Sequence, residues 1–166
     1  MNSARVLCFI LMTGWLSVSD SMAVGQPQNN LVGEVSVEQI LDHNRIFRIY
    51  TERYEPDEEA LQFLKRVEGD ISLRVFFGSW CRESTKYLPG LVKTLNVVNN
   101  NEIKATYMGV DAQKKFPDRF LKLFDIKYIP TVVVLKNGIE VGRIVEKPQQ
   151  PIETELVQIL KRLQEN

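Results

Sequence analysis

Cysteine and histidine are scarce in this 166-residue sequence: there are two cysteines, Cys8 and Cys81, and one histidine, His43. That is too few to build a structural zinc site, which takes four such ligands, and no metal or cofactor is expected. An excess of one charge is also missing, because 21 lysines and arginines balance 21 aspartates and glutamates. There is no basic surplus to attract nucleic acid and no acidic tail. A long hydrophobic run is absent as well. The most apolar stretch, VLCFILMTGWLSV near the N-terminus, is shorter than the roughly 20 residues that a bilayer-spanning helix needs.

That stretch has a different reading. MNSAR is a short positive region, the apolar run follows, and Ser21-Met22-Ala23 gives a small-x-small cleavage pattern. Residues 1–23 therefore read as a secretory signal peptide cut after Ala23. The competing reading, a membrane anchor, is disfavoured by the length of the run, and no lipoprotein-type small-residue box precedes Cys8. The mature protein is expected in the periplasm or secreted, without stable membrane insertion. Cys81 is then its only cysteine, so no internal disulfide forms even though export implies an oxidising compartment. An unpaired cysteine in that setting is either a reactive thiol or a buried, inert one.

Along the mature chain, residues 24–35 read as linker. Ser36 with Gln39 three residues on has capping-box spacing, so a helix starts there. NRIFRIYTERY carries a weaker helical pattern. Pro56 opens PDEEALQFLKRV, with acids in the first turn and Leu61, Leu64 and Val67 on one face. ISLRVFFG (71–78) is strand-like. After GSWCRES, apolar residues from Tyr87 to Val98 recur at helical spacing up to the Asn99-Asn100-Asn101 stop. IKATYMGV (103–110) is a second strand and FPDRFLKLFDI holds a short helix. PTVVVLK and IEVGRIVEK flank Asn137-Gly138, a strong hairpin signal. A last helix begins at Pro151. The order predicts an α/β fold with a mixed central sheet of about four strands and helices on both faces. The expected organisation is a helical extension over 36–68 and a main domain over 69–166.

Cys81 thus sits where a strand ends and a helix begins, and the free N–H groups of a helix start favour an anion such as a thiolate. Lys86 adds to that effect and Glu83 opposes it. Ser84, three residues on, lies close enough for its hydroxyl to donate to the sulfur, but it cannot form a disulfide. Cys81 can therefore attack a partner disulfide, and the resulting mixed disulfide waits for an outside thiol. The polar neighbours Ser79, Arg82 and Glu83 argue against a buried, inert cysteine.

Over roughly residues 70–163 the chain resembles thioredoxin-like proteins. Trp80-Cys81 ends the first core strand. Pro89 stands where the family's active-site helix carries its proline, and Ile129-Pro130-Thr131 looks like the family's isoleucine–cis-proline–threonine turn, which binds substrate backbone. PTVVVLKNGIEVGRIV is similar to the hairpin that follows. GSWCRES, LPGLVKTLN, MGVDAQKK and GRIVEKP look closest to exported bacterial members with a tryptophan-cysteine-x-acid-serine motif. The resemblance implies a thioredoxin-like fold, Cys81 and Ser84 as catalytic residues, and substrate contacts at Trp80, Ile129, Pro130 and Thr131. It departs from the pattern at Ser84, in place of the resolving cysteine, and at Arg82-Glu83. It departs again at Val75, where thioredoxins carry a buried aspartate that moves protons during resolution.

The expected activity is monothiol thiol–disulfide exchange with protein or small-thiol partners, and a Cys81–Cys81 dimer stays open. The alternative is a redox-inactive binding or chaperone-like module using the groove beside Trp80 and Pro130. A peroxide-reactive cysteine ranks last. His43 reads as a surface residue, Glu58-Glu59 as helix-start charge, and Asp111 as a strand-end residue that is a lesser candidate for the site.

Overall fold

The computed structural model of the protein describes residues 30–163. The signal-peptide expectation for 1–23, and the linker expectation for 24–29, fall outside those residues.

The centre of the fold is β2 (Ile71–Phe77), and its sequence shows why. Ile71, Leu73, Val75 and Phe77 enter one hydrophobic cluster and Phe76 enters another, so both sheet faces are covered. Half-buried Ser72 and Arg74 give its first part an alternating pattern, and Val75, Phe76 and Phe77 are buried on both faces. It pairs in parallel with β3 (Ile103–Gly109) and antiparallel with β4 (Thr131–Lys136). The parallel pair needs a crossover, supplied by α4 (Arg82–Val98). Beyond β4 lies β5 (Ile139–Val145), joined by Asn137-Gly138 with φ of 52° and 78°. Positive φ at both positions is what a two-residue hairpin turn demands.

The sheet has five strands rather than about four, in the order β1-β3-β2-β4-β5. The added strand, β1 (Gly33–Val35), pairs antiparallel with β3. It corrects the reading of 24–35 as linker throughout: three residues are too few for alternation to show, and Gly33, at φ 86°, enters from a conformation that reads locally as a turn.

Among the described residues three helices precede β2: α1 (Val37–His43), α2 (Arg45–Arg53) and α3 (Glu58–Lys65). Ser36 and Gln39 form the reciprocal capping box. Asp57, rather than Pro56, caps α3, taking the Ala60 N–H at 2.8 Å. These helices belong to the main core. Ile40, Phe47, Leu61 and Leu64 share one cluster with Leu73 and Val75 of the sheet, Leu88 and Leu91 of α4, and Leu156 of α6 (Ile152–Lys161). α2 packs against α4. The Tyr54 ring closes on Gly90 so tightly that a Cβ there would stand 2.8 Å from it. The Tyr54 hydroxyl donates to Glu153 at 2.7 Å, and the Asp57 N–H donates to the same carboxylate at 2.9 Å. Glu153 is buried, so these two donors supply the hydrogen bonding that a buried carboxylate requires. His43 is half-buried rather than fully on the surface, and that burial lowers its pKa. The second face is covered by α5 (Asp118–Leu123), through Leu121 with Phe124 and Ile126.

α4 stops at Asn99, in the left-handed conformation at φ 44°. The Asn100 amide donates to the carbonyls of Leu64 and Val67 at 2.9 and 2.8 Å, tying the end of α3 to this turn.

Candidate active site around Cys81

β2 ends at Phe77 and α4 starts at Arg82, so the intervening turn carries Cys81 at the N-cap of a 17-residue helix. Its N–H donates to Gly78 at 2.9 Å, and its carbonyl accepts from the Thr85 N–H and hydroxyl at 3.0 and 3.1 Å. The backbone is thus locked into the helix start, and the side chain makes no capping bond. The half-buried thiol donates instead to the Ile129 carbonyl, 3.7 Å away. Cys81 is the free cysteine of the described residues.

Ile129 leads into Pro130 through a cis peptide bond, and the Phe116–Pro117 bond is also cis. The Pro130 carbonyl accepts the Glu146 N–H at 2.7 Å, which fastens this turn to the end of β5. Thr131 is buried and its hydroxyl donates to Tyr128 O at 2.8 Å, so its side chain staples the turn from within. Trp80 is 39% exposed. Its indole N–H donates to Val110 O at 3.0 Å. Its ring and the Ile129 side chain both close on Gly78, where a Cβ would stand 2.8 and 2.9 Å from them. Cys81, Trp80, Ile129 and Pro130 therefore meet in one place.

Ser84 does not join them as expected. It is fully buried, and its oxygen accepts the Gly78 N–H at 3.1 Å, closing the motif turn from below. The expected hydrogen bond to the Cys81 sulfur is not made. The first helical turn directs Ser84 inward, toward a buried backbone donor that outweighs a half-exposed thiol as a partner. Val75 is fully buried, and beneath Pro130 it faces Leu88, Leu91 and Val132. Asp111 holds its own loop, accepting from the Lys115 and Phe116 N–H groups at 2.7 and 3.0 Å. Among the described residues no group of three or more His, Cys, Asp or Glu side chains is arranged to hold a metal ion. No described helix is long and apolar enough to cross a membrane.

Two features escape sequence reasoning. Ser79 accepts the Leu31 N–H at 3.0 Å, so the strand β1 segment is pinned to the motif. On the other side of the motif an open cleft of about 780 Å³ runs between α2 and the start of α4. Ile46 and Tyr50 of α2 and its N-cap Asn44 line one side; Ser79, Trp80, Arg82, Thr85 and Lys86 line it from the motif and the start of α4. The signal was present in α2, whose Ile46 and Tyr50 lie four residues apart and away from buried Phe47 and Thr51.

A family model described as thioredoxin matches residues 34–161. Among curated proteins, a protein disulfide-isomerase of Ricinus communis is 26% identical over 94 residues, and one of Datisca glomerata is 25% identical over 88. The matches cover 56% and 52% of this chain but 18% and 17% of those proteins, so the chain spans under a fifth of their length. Among solved structures, a protein of unknown function from Pseudomonas aeruginosa superposes with a TM-score of 0.64 at 16% identity, covering 80% of this chain and 94% of that one. An HIV epitope scaffold superposes with a TM-score of 0.63 at 17% identity, covering 79% and 94%. These two share the fold.

Proposed function

This chain belongs to the thioredoxin family, and from that premise we propose that it is an exported monothiol protein whose Cys81 undergoes thiol–disulfide exchange with protein or small-thiol partners. The observation that carries this reading is the position of the Cys81 sulfur. It is half-exposed at the N-cap of α4, against the Ile129–Pro130 turn, with Ser84 where a second thiol would stand. Export rests on the leader-like residues 1–23 and gives a periplasmic or secreted location.

The chemistry is a two-step exchange. The Cys81 thiol loses its proton to water, and the thiolate attacks one sulfur of a partner disulfide. The partner's S–S bond breaks as the Cys81–S bond forms, and its second sulfur leaves as a thiolate. Ser84 has no sulfur to attack the adduct, so an outside thiolate does so. It displaces the Cys81 thiolate and takes its place in a disulfide with the partner. Two electrons stay within the sulfur pool in each step. The apolar surroundings of Val75 suit this scheme, since no internal resolution calls for a proton relay there. The exposed Trp80 ring and the backbone of the Ile129–Pro130–Thr131 turn, whose side chains are buried, form the wall against which an extended partner segment would lie.

Incubation of the full chain with a disulfide-bonded peptide, followed by non-reducing mass analysis, tests this. The expected product is a one-to-one adduct on the Cys81 peptide that persists until a small thiol is added, and that is lost with Cys81→Ser. Absence of the adduct would leave a thioredoxin-fold binding module. A Cys81–Cys81 dimer in its place would make self-association the reaction.

A further inference from the structure

The cleft between α2 and α4 has two unlike walls. On one, Ile46 and Tyr50 are 37% and 44% exposed, large apolar side chains that the fold does not cover. On the other, Arg82 and Lys86 stand four residues apart in the first turns of α4, both exposed. Like charges at that spacing repel, and a helix N-terminus disfavours cations. Neither cation reaches a carboxylate among the described residues: Glu83, on the same turn, faces Lys147 at 4.0 Å instead. Lys86 lies over the Tyr87 ring, 4.8 Å from its centroid, and among the described residues Arg82 and Lys86 both remain without a counter-ion. A bound carboxylate would offset both penalties. Trp80 and Arg82, which flank Cys81, both line the cleft.

Resting on Cys81 as the reacting thiol, we propose that this cleft is a docking subsite for an acidic segment of a partner protein. The segment carries carboxylates for Arg82 and Lys86, and an apolar side chain for Ile46 and Tyr50. Free inorganic anions would use the cations and leave the apolar wall bare, and nucleic acid would meet only two positive groups. At about 780 Å³ the cleft takes several residues of chain. The acids would lie within a few residues of the partner's reacting cysteine.

The test uses the full chain carrying Cys81→Ser, so that binding is read without reaction. Two dye-labelled peptides, one of alternating glutamate and leucine and one with lysine for glutamate, are titrated and followed by fluorescence anisotropy. The acidic peptide should bind at least about tenfold more tightly, and added salt should erode the difference. Arg82→Glu with Lys86→Glu should reverse the preference. Tyr50→Ala should weaken the acidic peptide several-fold without altering charge. Equal binding of the two peptides, no binding of either, or indifference to the charge reversal would overturn the proposal. Displacement by an equal concentration of inorganic phosphate would overturn it too, leaving a simple anion site. An inert Cys81 with peptide binding intact would end the exchange reading and spare the subsite. A reactive Cys81 with no peptide preference would do the opposite.

Discussion

Cys81 and Ser84 share one turn of helix and face different ways. The sulfur turns to the Ile129 carbonyl, and the hydroxyl turns down to the Gly78 N–H. Ser84 therefore holds the motif turn together rather than acting on the sulfur, and two substitutions test this. Ser84→Ala leaves a buried backbone donor without a partner, which costs about 1–3 kcal/mol. Urea unfolding should show that loss, while Cys81 alkylation changes by less than about twofold; a much larger rate change would mean that Ser84 acts on the sulfur after all. Ser84→Cys supplies the missing second thiol. The mixed disulfide on Cys81 should then decay at least about tenfold faster without added thiol, followed by release of the labelled partner. An unchanged lifetime would show that geometry, and not the lack of a sulfur, blocks resolution. Cys81 and Trp80 were legible in the sequence because their setting is local, a strand end running into a helix start. The partner of Ser84 was not, because the direction of a side chain on a helix's first turn is decided by what lies beneath the turn.

Among the elements, the legible ones are those with chemistry confined to a few residues. The Ser36–Gln39 capping box and the Asn137-Gly138 hairpin are examples. β1 was hidden because it exists only through pairing with β3, far along the chain. The contact that joins α2 and α3 to the rest was equally hidden: Tyr54 against Gly90, with its hydroxyl on buried Glu153. Burial, and then the Glu153 hydrogen bond and charge, push the Tyr54 phenol well above its ordinary value; burial does the same to Tyr107. In the unfolded chain both titrate near about 10. Above that pH the unfolded chain sheds phenolic protons that the folded chain keeps, so stability falls as pH rises. Urea midpoints should therefore hold level from about pH 8 to about pH 10 and drop beyond it. Tyr54→Phe should blunt that drop and lower the neutral-pH stability, since a hydrogen bond to a charged group contributes about 1.5–3 kcal/mol. An alkaline slope identical to that of the parent would contradict the account of Tyr54.

At the scale of the molecule, residues 36–68 read in the sequence as a helical extension, and the packing shows where that extension goes. Phe47 and Leu64 are both buried against the same core as Leu73, Leu91 and Leu156. The helical pattern over 36–67 shows that helices form there. It cannot show where their apolar faces go, because amphipathicity alone names no partner. The helices before β2 are thus a layer of the domain, and a chain starting at residue 69 would bare the apolar faces of α4 and α6. Such a chain should lose the cooperative urea transition of the full chain, as followed by circular dichroism. A retained sharp transition would show that the domain folds without the extension. The same packing sets α2 beside the motif and creates the cleft, so the subsite proposed there depends on the fold as a whole, whereas Cys81 depends on one turn of it.

The central claim, that the fold makes Cys81 a reactive thiol, is tested most directly by its alkylation rate. The full chain and the free peptide GSWCRESTKYLP are treated with iodoacetamide at neutral pH, and labelling of the Cys81 peptide is read by mass mapping, which separates it from Cys8. The account predicts that Cys81 in the folded chain reacts at least about tenfold faster than in the peptide. A rate equal to the peptide's, or slower, would contradict it.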